Sequence, residues 1–325
     1  MTARHRRLLL ASSLLALASL GLALMIGSVD IAPRDVLRHL FTSDGSVHDR
    51  IIDQLRLPRA LTAFAIGGLL AVAGVLMQVL LRNPLADPYV LGVSGGAASA
   101  VLAAMLLALP VAWYTPAALI GALLSTLLVF GLTRSGDDWR SDRLLLTGVV
   151  VAAGWAALIS FVLSISPGQR LPGMLFWLMG DLSDATSPAL PLILLVLAVL
   201  VLLLRARDLN IAALGMLHAA ALGVDTARLR LELYFAGAIL TAAAVAVAGA
   251  IGFVGLIVPH LVRRFGATDH RVLLPVAALA GGSLLLLADS AARTLIRPLQ
   301  LPVGVLTALI GVPLFLYLLH SRSRG

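Results

Sequence analysis

From Ala60 to Leu81 the chain runs 22 residues without a charged side chain, and stretches of this kind recur along its whole length. At 1.5 Å of rise per residue, such a run is about 33 Å of helix, close to the roughly 30 Å hydrocarbon thickness of a bilayer. Inside lipid a backbone must satisfy its own hydrogen bonds, so runs of this length and composition restrict the fold to membrane-spanning helices. The apolar runs cover about 8–26, 60–81, 90–109, 116–133, 144–165, 189–204, 231–250, 256–263, 272–292 and 303–319. They predict an all-α, polytopic membrane helix bundle of about ten transmembrane helices. The eighth run is too short for an ordinary span, and the whole of residues 1–325 reads as one transmembrane domain. The first run, which follows Arg4-His5-Arg6-Arg7, is longer than a signal-peptide core and reads as a retained helix.

Charge sets the orientation. All 24 basic residues are Arg, Glu232 is the only Glu, and the net charge is +8. In a soluble protein that excess would suggest nucleic acid, but here the Arg residues sit at the ends of apolar runs, which argues against a nucleic-acid partner. With the amino terminus in the cytoplasm, sixteen Arg fall on the cytoplasmic side and eight outside, so both termini are expected to be cytoplasmic. There is no cysteine, hence neither disulfides nor thiolate metal sites. No Gly-rich phosphate loop with its Lys exists, since the chain has no lysine at all, so the chain is not expected to hydrolyse ATP.

Three stretches break the apolar pattern. The segment 209–223, between Arg205/Arg207/Asp208 and Asp225/Arg228/Arg230, is apolar over too few residues to cross. One or two short helices at the membrane face are expected there, as a linker buried in the bundle or as a handle for a soluble partner. Gly249, Gly252 and Gly255 before Pro259 predict non-helical backbone at membrane depth, tolerated only where protein covers it or a cavity adjoins it. Small residues from Gly92 to Ala100 allow close helix packing or a pathway lining.

Among polar groups, Arg56, Arg59 and Arg293 lie on the outer side. The outer Arg residues either neutralise neighbours, with Asp49 and Asp53 pairing with Arg50 and Arg56, or form a docking surface for an acidic external partner. His260 has no His or carboxylate three or four residues away, so no metal site is expected. Asp289, deep in an apolar run, is expected to be buried and hydrogen-bonded near the outer end. An ion-coupled secondary transporter would carry charge at mid-membrane and repeated halves, and an intramembrane enzyme would need a nucleophile with its base; neither pattern is evident, so no catalytic residue is assigned.

Leu55-Arg56-Leu57-Pro58-Arg59, Gly74-Val75-Leu76-Met77-Gln78 and Arg82 to Gly92 resemble the FecCD-type permease subunits of type II ABC importers for iron chelates, haem and cobalamin. Gly249 to His260, Thr268-Asp269-His270-Arg271, Leu287-Ala288-Asp289, Leu301 to Val305 and Gly311-Val312-Pro313 extend the resemblance. It implies a bacterial inner-membrane homodimer that imports a bulky iron chelate such as a siderophore or haem, or alternatively cobalamin. It also implies two cytoplasmic ATPase subunits, which bind the ATP and Mg, and an external substrate-binding protein with acidic docking residues; the chain itself needs no cofactor. By the same resemblance Arg56, Arg59 and Arg293 meet the binding protein, and Leu214, Gly215, Met216, Ala220, Leu222 and Gly223 belong to the coupling helices on the ATPase. Arg140, Ser141 and Asp142 correspond to the inner gate. Met216 and Gln300 stand where the family usually has Glu, and with Met216 the segment lacks the acidic residue that a specific salt bridge to the ATPase would use.

Overall fold

The computed structural model describes residues 2–27, 31–41, 47–133, 141–183, 187–296 and 298–322. Among them every regular element is helical: α1 (Ala3–Met25), α2 (Pro33–Phe41), α3 (Val47–Ile51), α4 (Leu57–Leu80), α5 (Val93–Leu106), α6 (Tyr114–Thr133), α7 (Ser141–Ile165), α8 (Leu171–Leu178), α9 (Ala189–Leu204), α10 (Ala206–Leu214), α11 (Met216–Ala221), α12 (Thr226–Ala248), α13 (Val254–Arg264), α14 (His270–Ala292) and α15 (Val303–Arg322). A π-helical turn, Ile52–Arg56, makes α3 and α4 continuous, and a 3-10 turn, Pro88–Leu91, leads into α5.

Each of the ten apolar runs falls on a helix. Six helical stretches are long and apolar enough to cross a membrane, and α9 with α10 makes a further candidate bent by 66° at Arg205. Within the polar stretch before α4, α2 and α3 were not expected, nor was α8; the apolar positions that form them are too few to register as runs.

The buried centre is α4, which packs on α14, α12, α13, α9 and α1. Small residues make this possible, because without side-chain bulk the backbones approach until carbonyls touch the facing helix. A Cβ on Gly67 of α4 would lie 2.2 Å from the Gly281 carbonyl of α14, and one on Gly74 would lie 1.8 Å from that of Gly255 in α13. The small-residue stretch in α5 has the same use: Gly96 faces Gly121 of α6 across a comparable distance, and Ser125 Oγ, which donates to the Gly92 carbonyl, also accepts from Trp155 Nε1. Packing, rather than a pathway lining, accounts for it.

The predicted break is present. α12 ends at Ala248, Gly249 takes φ 68°, and α13 begins only after Phe253, itself at φ 70°. Protein covers the gap. Asp181 N donates to the Ala248 carbonyl, Val303 N donates to that of Gly180, and the Tyr89 hydroxyl both donates to Ile251 O (2.9 Å) and accepts from Ile251 N (3.0 Å). Tyr89 thereby supplies both partners that helix would have given Ile251. Tyr89→Phe leaves a donor and an acceptor unpaired in a poorly solvated place, and a loss of about 1–3 kcal/mol in stability is expected, read from thermal unfolding in detergent.

Candidate functional site

α4 and α14 run antiparallel, so residues at the start of α4 and the end of α14 meet at one end of the bundle. There the Asp289 side chain is fully buried. Arg59 grips it as a fork, with Nε 3.1 and 3.0 Å from the two carboxylate oxygens and Nη2 2.8 Å from Oδ1. Arg293 Nε approaches from the same helix to 3.1 Å of Oδ2, without hydrogen-bond alignment. A fork on a carboxylate is the arrangement guanidinium geometry favours. Arg59 Nη1 also donates to Gln300 Oε1 at 3.3 Å, a neutral amide at one of the two positions that depart from the resemblance.

Arg56 goes elsewhere. Its side chain is 4% exposed and donates through Nη1 to the Leu24 and Met25 carbonyls at 2.7 and 3.0 Å, closing the end of α1. Two of the three arginines expected to dock a partner are therefore brought together, and the third caps a helix. All three are turned largely inward.

A cavity of about 770 Å³ opens at this same end, between the α5–α6 turn, α8 and the end of α12, with Arg170, Trp177 and Asp181 in its wall. Arg170 donates to the last carbonyls of α5, Met105 and Leu106.

At the opposite end of α4 lies the bent segment. Arg205, at the corner between α9 and α10, donates to Glu232 of α12 at 2.6 Å and to Asp208 at 3.3 Å, and Arg228 joins Glu232 at 3.1 Å. Asn210 is the second anchor: its Nδ2 donates to Asp269 Oδ1 at 2.8 Å, and its Oδ1 accepts from His270 N at the start of α14. Partial burial pushes the Asp269 carboxyl up, but hydrogen bonds from Asn210 and the Arg271 amide, with the Arg271 charge, bring it net below the ordinary range. The segment is thus tied to α12 and α14 and is not a loose linker.

Gly215, at φ 135°, separates α10 from α11 beside the Arg82 guanidinium. Met216 is buried against the bundle at 7% exposure, where a Glu would be costly. Leu214, Leu217 and Leu222 project outward at 72%, 87% and 64%, and Ala220 and Gly223 are exposed among them. Leu217 was not singled out from the sequence, because which side of a six-residue helix faces outward depends on how it docks. Of the gate residues, Arg140 lies outside the described residues, Ser141 begins α7, and Asp142 is exposed in its first turn. Among the described residues no cluster of His and carboxylates could hold a metal.

The sequence pattern of the FecCD transport family matches residues 14–321. The chain belongs to the FecCD transport family. As a family member it is a membrane permease of ABC-transporter type. This FecCD chain is 44% identical over 314 residues to the hemin transport system permease protein of Yersinia pestis, covering 94% of this chain and 92% of that one. It is 41% identical over 322 residues to the vitamin B12 import system permease protein of Vibrio vulnificus, covering 97% and 94%. A solved ABC transporter assigned to the metal-chelate type, in an inward-facing conformation, superposes with a TM-score of 0.87 at 33% identity, over 97% of this chain and 99% of that one.

Proposed function

We propose that this FecCD permease forms, as a homodimer with ten membrane crossings per subunit, the pathway of an ATP-driven importer for a bulky chelate of the class that includes haem and cobalamin. The relatives named for hemin and for vitamin B12 are similar to it to nearly the same degree, so the cargo is stated as a class. Both termini are cytoplasmic by the distribution of Arg, in a bacterial inner membrane, and ATP with Mg belongs to two partner ATPase subunits. The apolar outer face of α7, little buried within one subunit, is available to lipid and to the second copy.

The observation that carries the reading is the apolar crown of Leu214, Leu217 and Leu222 on helices too short to cross a membrane by themselves. Large apolar side chains at a water-facing end are costly to leave bare, and a soluble partner seated on them removes that cost. Arg205 and Asn210 tie the same helices to α12 and α14, so a displacement of the partner reaches the bundle through two fixed points. At the other end, Arg59 and Arg293 meet an acidic binding protein by exchanging Asp289 for a partner carboxylate.

Ala220→Trp tests the coupling role. Bulk on this exposed position does not disturb the bundle but overpacks an interface, by roughly 1–3 kcal/mol, so ATPase copurification and uptake are expected to fall about tenfold or more at normal yield. Normal yield with undiminished copurification and uptake would remove the partner from this position; low yield would assign the segment to the permease's own core.

A further inference from the structure

A second site lies away from both ends of the proposed pathway. Between α1, α13 and α14 runs an apolar groove of about 440 Å³, with Leu8, Ala11, Leu15, Leu261, Phe265 and Ala280 in its walls. Its two hydroxyls make no demand on an occupant, because Ser12 donates to the Leu9 carbonyl and Ser283 to that of Leu279. The walls run about 10 Å along α1, from Leu8 to Leu15, and about 16 Å along α14, from Val276 to Leu287, so the groove is about one leaflet deep, a leaflet being roughly 15 Å.

The end of the groove is basic by construction. Arg4 is one turn before Leu8 on the same face of α1, and its Nε donates to the Phe265 carbonyl at 3.1 Å, where α13 ends. Its guanidinium lies over Gly266, where a Cβ would come within 2.3 Å of the central carbon; φ there is +94°, so the backbone favours glycine, and the missing side chain leaves room for the guanidinium. This holds the fork at the groove mouth with its two terminal amino groups available. Arg7 and Arg264, both exposed, add positive charge beside it.

An apolar slot one leaflet deep, closed by a pinned guanidinium, matches one amphiphile: an acyl chain bearing an anionic phosphate. We propose that this groove binds an anionic phospholipid, with an acyl chain along Ala11 and Leu261 and its phosphate on Arg4. A water-soluble anion would not use the apolar walls, and a second copy of the chain would not use the basic mouth. The orientation proposed above decides only which leaflet supplies the lipid.

Native mass spectrometry of the full chain in detergent, titrated with phosphatidylglycerol or phosphatidylcholine, tests this. The unaltered chain is expected to retain phosphatidylglycerol preferentially. Arg4→Ala should weaken phosphatidylglycerol about fivefold and leave phosphatidylcholine unchanged, as loss of one basic residue at an anionic surface implies. Ala280→Phe, and independently Ala11→Phe on the exposed face of α1, should remove the tightly held lipid of either kind by filling the slot. Four results would overturn the proposal: no headgroup preference in the unaltered chain, Arg4→Ala affecting both lipids equally, lipid retained unchanged in both Phe variants, or a change of subunit number in those variants, which would assign the groove to a second copy. Displacement of the bound species by inorganic phosphate would also refute it. ATPase copurification is expected to be unaffected in all three variants, which separates this test from that of the import function.

Discussion

Asp289→Asn is expected to cost about 3–5 kcal/mol of stability, the penalty typical of breaking a buried ion pair by removing one partner. The substitution keeps the shape of the side chain but withdraws the charge shared by Arg59 and Arg293, whose side chains are only 12% and 10% exposed. Two guanidiniums then face one another in a space from which water is largely excluded. The measurement is thermal unfolding of the detergent-purified chain. Because the cost lies in the stranded cations, Arg59→Gln added to Asp289→Asn should recover part of the loss, so the two changes should be strongly non-additive. Additive losses, or Asp289→Asn with unchanged stability, would mean that the carboxylate does not hold the end of α4 to the end of α14. The same variant bears on docking: with the internal carboxylate gone, association with an acidic partner should become more sensitive to salt.

The second large effect is expected from the smallest substitution. Gly74→Ala puts a methyl group where the Gly255 carbonyl oxygen now stands 1.8 Å away, and the obstacle is backbone rather than a side chain that can rotate. α4 and α13 must separate or shift, at a cost of about 1–3 kcal/mol and more if the covered break at 249–253 opens with them. Uptake should fall together with thermal stability. Gly131→Ala in α6 is the control, since nothing lies within 4 Å of its added carbon, and there alanine should gain about 0.5–1 kcal/mol from its better helix propensity. Equal behaviour of the two variants would contradict the close α4–α13 contact.

Helix positions were readable from the chain because the cost of unpaired backbone in lipid allows long apolar runs one solution, and a run's length and charged ends mark it without knowledge of its neighbours. The break near Gly249 was readable too, since clustered glycines favour non-helical backbone, although only Gly249 and Gly252 fall in it and Gly255 and Pro259 lie inside α13. Asp289 could be expected to be buried, because a carboxylate inside an apolar run has to find donors.

What the sequence did not decide is which side chains meet. Arg56 and Arg59 stand three residues apart beside the same proline, yet one caps α1 and the other grips Asp289, 230 positions away. That division depends on where the ends of α1 and α14 arrive, a matter of helix packing through glycines that carry no local signal of their partners. The outward turn of Leu217, the burial of Met216 and the seating of Arg4 over Gly266 have the same origin. Hydrophobicity and charge act residue by residue and are written in order along the chain, whereas the contacts between distant helices are selected by shape at the Gly67–Gly281 and Gly74–Gly255 crossings, which only the folded bundle brings together.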